Sequence, residues 1–507
     1  MYKAHFSHCH RYCNDYLDSK DCNLNIVIKI ILYTLCFLFT SCAVKNINDE
    51  KLKVNITPHI DVDNWLSTTE LSDGNNISSE WWKLFKDEKL DVIMNQFIAN
   101  NYDLEIALLS LNANKALSII NKNNLFPDIS SSFTSSAMQT NNKGTQFDDI
   151  EITIPDGETI KFAETSITEN YRLNLSSQWE VDIWNKMRSK NKAIDKNFQS
   201  NQNDFKYFRF SIISQAVKIY FSAVQASEQV NLSKASVDAN QDIFNIVEDR
   251  YNKGIGASLL DYKLAKSNLL ISKSSLEQNK MSFDQYKRRL EISIGKYPSG
   301  TIEVENLLTN SLPEIPKSMP SDVIMKRPDI VSSYNKIEAA LMELGYSKRL
   351  RFPSFNLTNS FGTSSGDLID IINGDAFVWS LGANVLLPIF QNGKINANID
   401  LAKTMYEKAQ IEYSNSLLSA FSEIESKLSF DQMLTNQVVL LSEALKEAED
   451  TYDLSKERYN KGLVDLITVI DSQKRMFDTR SRMILAKQLL IDNRIDLLIC
   501  LGGDFSE

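Results

Sequence analysis

The segment Arg250-Tyr251-Asn252-Lys253-Gly254 returns 208 positions later as Arg458-Tyr459-Asn460-Lys461-Gly462. Five identical residues alone could arise by chance. The constraint on the fold comes from other landmarks that recur in the same order. Leu125-Phe126-Pro127-Asp128-Ile129 is answered by Arg351-Phe352-Pro353-Ser354-Phe355. Trp184-Asn185-Lys186 is answered by Phe390-Gln391-Asn392-Gly393-Lys394. This is a tandem duplication of a large unit, not a short solenoid repeat.

Each unit has the same plan. A helix is expected from Leu90 to about Asn124, and again from about Ser321 to Leu350, with Pro328 tolerated in its first turn. A Phe-Pro pair then forces extended chain. Alternation follows: Ile129, Ser131 and Phe133 against Ser130, Ser132 and Thr134, then Tyr171, Leu173, Leu175 and Trp179 against Arg172, Asn174, Ser176 and Gln178. The second unit repeats it with Phe355, Leu357 and Phe361, then Trp379, Leu381, Ala383 and Val385. A period of two gives one apolar and one polar face. At about nine or ten residues, such strands are long enough to cross a membrane when tilted. Apolar-out, polar-in alternation is the pattern of a transmembrane barrel, and a soluble sandwich is the alternative. The strand connections, about Ala137–Glu169 and about Thr363–Ala376, are expected as surface loops. The first carries Asp148, Asp149, Glu151, Asp156 and Glu158.

Long helices come next. Met187, Asn191, Ile194, Phe198, Asn201, Phe205, Phe208 and Ile212 step by four and three, as do Ile395, Ile399, Ala402, Tyr406, Ala409, Tyr413, Ser416 and Ala420. That spacing is a coiled-coil seam. A helix from Lys186 to Asn252 would span about 100 Å. Glycine ends each helix, and return helices are expected over about Leu259–Ile294 and Ile467–Leu501. Only 16 Gly and 10 Pro in 507 residues leave room for such lengths. A formal charge of −10 disfavours nucleic acid as a partner. Residues 26–41 form the sole long apolar run, which excludes a polytopic helical membrane protein.

That run, with Lys29 near its start and Thr40 and Ser41 before Cys42, reads as a secretory signal, an uncleaved anchor being the alternative. Its ending, Phe39-Thr40-Ser41-Cys42, resembles a bacterial lipobox, which implies acylation of Cys42. Ala43 is not the Asp that resembles an inner-membrane retention signal, so outer-membrane sorting is expected. Residues 1–23 hold His5, His8, Cys9, His10 and Cys13, but a signal peptide starting near Leu24 would leave them untranslated or without a structural role, so no metal site is expected. The processed chain would keep Cys42 and Cys500, with no disulfide between them.

Four strands cannot close a barrel, and an open edge cannot sit in lipid. Three chains would supply twelve strands, with the helical hairpins continuing the barrel as a tube. Here the sequence resembles the TolC-like outer-membrane efflux family, in its lipoprotein branch. The resemblance rests on Trp81-Trp82 with Phe85, Leu125-Phe126-Pro127, Trp179-Glu180-Val181-Asp182-Ile183-Trp184, Arg327-Pro328-Asp329-Ile330, Leu387-Pro388-Ile389-Phe390-Gln391-Asn392-Gly393 and both Arg-Tyr-Asn-Lys-Gly segments. Two departures stand out: Asn185 where the family has Gly, and a first hairpin tip one residue longer than the second.

The resemblance implies a mainly α chain with four transmembrane strands, closing as a trimeric 12-strand barrel and a periplasmic α-helical tube. Its segments would be 1–41 signal, 42–86 lipidated extension, 87–300 first repeat, 301–319 linker and 320–507 second repeat. It implies a passive exit duct in the outer membrane, anchored at Cys42. Its partners would be its own copies, a periplasmic adaptor, an inner-membrane pump and outer-membrane lipid. No cofactor and no catalytic residue are implied. The cargo would be drugs or other small toxic molecules. Type I protein secretion is the alternative, and a periplasmic coiled-coil adaptor or structural lipoprotein a more distant one. The adaptor would dock on the tips, Arg250, Tyr251, Lys253 and Gly254 with Lys461 and Gly462. A closing network at the periplasmic end would use Arg458, Tyr459 and Asp471, joined by Asp465.

Overall fold

The computed structural model describes residues 80–122, 125–141, 151–153, 159–161, 165–309, 311–315, 324–372 and 376–501, all within the compact unit 55–507. Cys42, the lipobox and the early His/Cys cluster lie outside the described residues.

The duplication is visible element by element. The first unit runs α1 (Glu88–Asn100), α2 (Tyr102–Lys122), β1 (Asp128–Asn141), a small hairpin of β2 (Glu151–Thr153) and β3 (Thr159–Lys161), β4 (Thr165–Val181), α3 (Lys186–Lys253) and α4 (Leu259–Ser293). The second runs α5 (Pro328–Arg349), β5 (Ser354–Ser365), a 3-10 turn (Ile369–Ile372), β6 (Phe377–Leu386), α6 (Lys394–Asn460) and α7 (Leu466–Cys500). At 68 and 67 residues, α3 and α6 each span about 100 Å. No described helix is long and apolar enough to cross a membrane.

Three expectations need correction. The first helix is two: Asn101 breaks it because its side chain accepts from Leu104 N–H at 2.9 Å and donates to the Ser293 carbonyl at 2.8 Å, capping α2 and tying it to α4. The first strand connection is shorter than read, since β1 runs to Asn141 and β4 starts at Thr165, with a hairpin of its own between. The seam expected on α3 holds only in part: Asn191 is buried and Ile212 packs on the core, but Phe208 is exposed, while Phe210, Ile213, Val217, Tyr220 and Val224 are buried. This helix packs on α2, α4, α5 and α7 as well as on α1. Contact on several sides replaces a two-helix stripe. On α6 the seam holds from Ile399 through Tyr413, then continues through Leu417 rather than Ser416.

The corners where helix meets strand are pinned by two tryptophans. Trp179 Nε1–H donates to the Leu125 carbonyl at 3.0 Å, and Trp184 Nε1–H to the Pro353 carbonyl at 2.8 Å, with its ring stacked on Phe352. Asp182 accepts from the N–H groups of Met187 and Arg188, so a carboxylate holds the N-terminus of α3. Asn185 adopts φ 58° there. Asparagine is among the few residues that enter this left-handed region readily, so the departure from Gly leaves the corner intact. Its counterpart Gly393 has φ 78°.

Trp81, Trp82 and Phe85 form a 3-10 turn and are fully buried, Phe85 lying 5.0 Å from Phe221. Tyr220 donates to Asp87 at 2.6 Å, and burial with this bond raises the phenol pKa. The repeats are cross-linked by charge. Asp496 of α7 takes Lys218 of α3 and Lys427 of α6, and buried Asp431 holds Arg494 through two bonds. Arg327 pairs with Asp329 and Glu423, fixing the start of α5 on α6. Burial opposes the charge on this guanidinium, but the two carboxylates outweigh it and raise its pKa.

Candidate functional site

The sheet comes first. Its order is β1-β4-β5-β6, all antiparallel, so both units contribute one hairpin side by side and β1 and β6 form the edges. Register decides the faces. Phe133 lies opposite Leu173, Leu175 opposite Phe361, and Phe361 opposite Trp379; Trp179 lies opposite Leu357, and Leu357 opposite Ala383. One face is therefore mainly apolar, yet among the described residues no layer covers it: Trp379 is 71% and Leu381 72% exposed. The opposite face carries Ser176 beside both Ser130 and Ser360, and Ser360 beside Ser380. Hydroxyls bond across it at 3.0 Å (Ser130–Ser176) and 2.8 Å (Ser360–Ser380). A cleft of about 350 Å³ on this side is lined by Asp128, Gln178, Thr358 and those serines. An uncovered apolar face backed by a wet polar one suits a wall between lipid and water.

The hairpin tips are the second element. In both repeats the five-residue segment is a helix stop of the same construction. Ile255 N–H reaches the Arg250 carbonyl and Gly254 N–H the Tyr251 carbonyl; Leu463 N–H reaches Arg458 and Gly462 N–H reaches Tyr459. Gly254 has φ 62° and Gly462 φ 73°. This is the Schellman arrangement, and it explains why the sequence was duplicated intact. The extra residue of the first tip is absorbed by Gly256 at φ 70°.

The side chains diverge. Tyr459 is 8% exposed and packs with Leu466, Val469 and Met476, while Tyr251 is 39% exposed and stacks on Tyr262. The Arg250 guanidinium lies 4.6 Å from the Tyr459 ring, and its Nη2 reaches the Asn460 carbonyl at 3.5 Å. Among the described residues no such contact joins Arg458 to Tyr251. Lys253 pairs with Asp249 and Lys461 with Glu457, both in solvent. The re-entry differs too. Ser258 and Asp261 form a capping box at α4, while Asp465 at α7 makes no side-chain cap. Asp471 pairs with Arg475 at 3.4 Å, well exposed. Within one chain neither Arg458 nor Tyr459 bonds to Asp471. Sequence reading missed Arg250 as the link between tips; the cue was the repeated Arg-Tyr itself. No cluster able to hold a metal ion occurs among the described residues.

With this architecture in view, the profile of the family described as "Outer membrane efflux protein" matches residues 93–296 and 319–503. The chain belongs to that family. The two matched stretches coincide with the two structural units. Among curated relatives, the probable efflux pump outer membrane protein TtgC of Pseudomonas putida is 23% identical over 450 residues, covering 87% of this chain and 88% of the relative. The cation efflux system protein CusC of Escherichia coli K12 is 22% identical over 427 residues, covering 83% and 88%. Among solved structures, the outer-membrane channel OprN aligns with a TM-score of 0.78 at 21% identity, over 89% of this chain and 98% of that one. The CmeC channel of Campylobacter jejuni aligns at 0.77 and 25%, over 89% and 96%. This outer membrane efflux protein is thus an outer-membrane exit duct: the sheet forms the membrane wall and the long hairpins the tube.

Proposed function

We propose that three copies of the chain close one duct, joining β1 of each to β6 of the next, and that it passes small toxic molecules handed over by an inner-membrane pump through a periplasmic adaptor. The observation that carries this reading is the four-stranded sheet, apolar on one face, polar on the other and open at both edges. Unpaired backbone groups in lipid cost several kcal/mol each, and twelve strands remove every edge. The cargo class follows the relatives, which are named for antibiotics, solvents, toluene and cations. Nothing is catalysed; energy comes from the pump. Cys42 carries the lipid anchor, and the strand connections face outward, so a tag at Gly144 should be reachable on intact cells.

The tips dock the adaptor. Lys253 and Lys461 are each held only by an exposed pair with a neighbour one turn away, a kind that solvent screening leaves weak. A partner carboxylate can replace such a pair. Arg458, Asp465 and Asp471 are exposed at the second tip and available across a threefold axis, where they form the closing network with Tyr459 beneath them. Outer-membrane fractions run on gels without heating should show a band at three times the chain mass that collapses on boiling. A monomer at every temperature overturns the trimer. Reversing Lys253 and Lys461 together should reduce adaptor crosslinking at unchanged trimer level. Replacing Asp465 and Asp471 by Ser should raise single-channel conductance, and an unchanged value removes the gate.

A further inference from the structure

The polar face of the sheet is nearly free of charge. Among its described residues only Asp128, Arg172 and Glu180 are ionisable; the rest are mainly Ser, Thr, Asn and Gln. Glu180 is neutralised by Lys186, and Asp128 starts β1 beside the helices. Arg172 stands alone. Its cross-strand neighbours are Thr134 and Ser364, which offer hydroxyls, and Asn170 and Asn174 flank it on its own strand. It is exposed, and no carboxylate pairs with it among the described residues.

Its height in the wall is also defined. On the other face of β4 the mainly apolar series Val181, Trp179, Ser177, Leu175 and Leu173 ends at Tyr171, and Glu169 follows. An aromatic at the end of an apolar band marks the membrane boundary of a barrel. Arg172 is the next residue, turned to the opposite side, at the end of the wall remote from the helices.

We infer that Arg172 forms a ring of guanidinium groups at the outer mouth of the lumen, one per chain, which favours small anions over cations there. This rests on the reading of the chain as a closed trimeric duct. A guanidinium remains charged at any working pH. The carboxylates at the same end of the sheet lie off this face: Glu169 takes the Tyr171 hydroxyl on the other side of β4, and Asp367 follows the end of β5. Among the described residues of the lumen-facing surface Arg172 meets only hydroxyls and amides, and rings of Arg or Lys select anions in pores. The ring itself carries the opposite sign to the carboxylates at the second tip, Asp465 and Asp471.

The test is reversal potential in planar bilayers under a KCl gradient, for the wild-type protein and for Arg172→Lys, Arg172→Gln and Arg172→Glu. Wild type and Arg172→Lys should share one value. Arg172→Gln should move it toward potassium preference, and Arg172→Glu further in the same direction. The spread should widen as salt falls from about 1 M to about 0.01 M, because the screening length grows from roughly 3 to 30 Å. One reversal potential for all four proteins, at intact conductance, overturns the ring. If the wild type is closed, the four proteins are compared in the Asp465→Ser, Asp471→Ser background; absence of any conductance in that background as well overturns the duct on which the ring depends.

Discussion

Arg250 and Arg458 hold the same position in the same five residues, and their carbonyls accept the same turn-closing bond. Yet Arg250 crosses to the ring of Tyr459 while Arg458 stays in solvent; Tyr459 is buried while Tyr251 stacks on Tyr262 near the surface. Duplication preserved what the backbone needs, a left-handed glycine after a helix end. It left the side chains to be decided by what each tip meets. Both tyrosines meet their own return helices, Tyr251 at Tyr262 near the surface and Tyr459 among Leu466 and Val469 in the interior, and among the described residues the arginine of the first tip alone crosses to the other tip.

The tyrosines should differ most. Tyr459→Ala should cost about 3–5 kcal/mol, as for removal of a buried aromatic, whereas Tyr251→Ala should cost well under half as much. Thermal unfolding of the detergent-solubilised protein reads both, and equal losses would contradict the asymmetry. The glycines should behave alike. Gly254→Ala and Gly462→Ala each meet no atom within 4 Å, so only the positive φ counts, at about 1–2 kcal/mol in either tip. Unequal penalties would show that the two backbones are not equivalent.

Capping should separate the tips again. Ser258→Ala removes one half of a capping box and should cost about 1 kcal/mol; Asp465→Ala removes no cap bond and should change stability by a few tenths at most. The smallest contrast is the arginines. Arg250→Ala should cost about 0.5–1 kcal/mol, the range of an exposed cation–π contact, and Arg458→Ala close to nothing. A double-mutant cycle of Arg250 with Tyr459 should recover that coupling.

Much of this was legible beforehand, for identifiable reasons. The strand faces followed from alternation at Tyr171–Trp179 and Trp379–Val385, since a pleated strand leaves no other arrangement. Helix ends at Lys253 and Asn460 followed from the glycine after each. The α6 seam followed from strict spacing through Tyr413. The α3 seam did not, because that helix buries several faces and Phe208 and Phe210 cannot be ranked without knowing its neighbours. The break at Asn101 depends on Ser293, 192 residues away. The Arg250–Tyr459 contact depends on the juxtaposition of two hairpins, which no local pattern records. The pair of Asp471 with Arg475 lies one helical turn apart, a spacing that the sequence records directly.

A closed duct requires the two open sheet edges, β1 and β6, to pair between chains. In a Cys500→Ala background, Ser132→Cys on β1 can be combined in turn with Ser380→Cys, Gly382→Cys or Asn384→Cys on β6, and oxidised in the outer membrane. At the matching register the closed twelve-strand wall predicts covalent trimers on a denaturing gel. Disulfides confined within single chains, or monomers alone at every pairing despite normal membrane insertion, would contradict it.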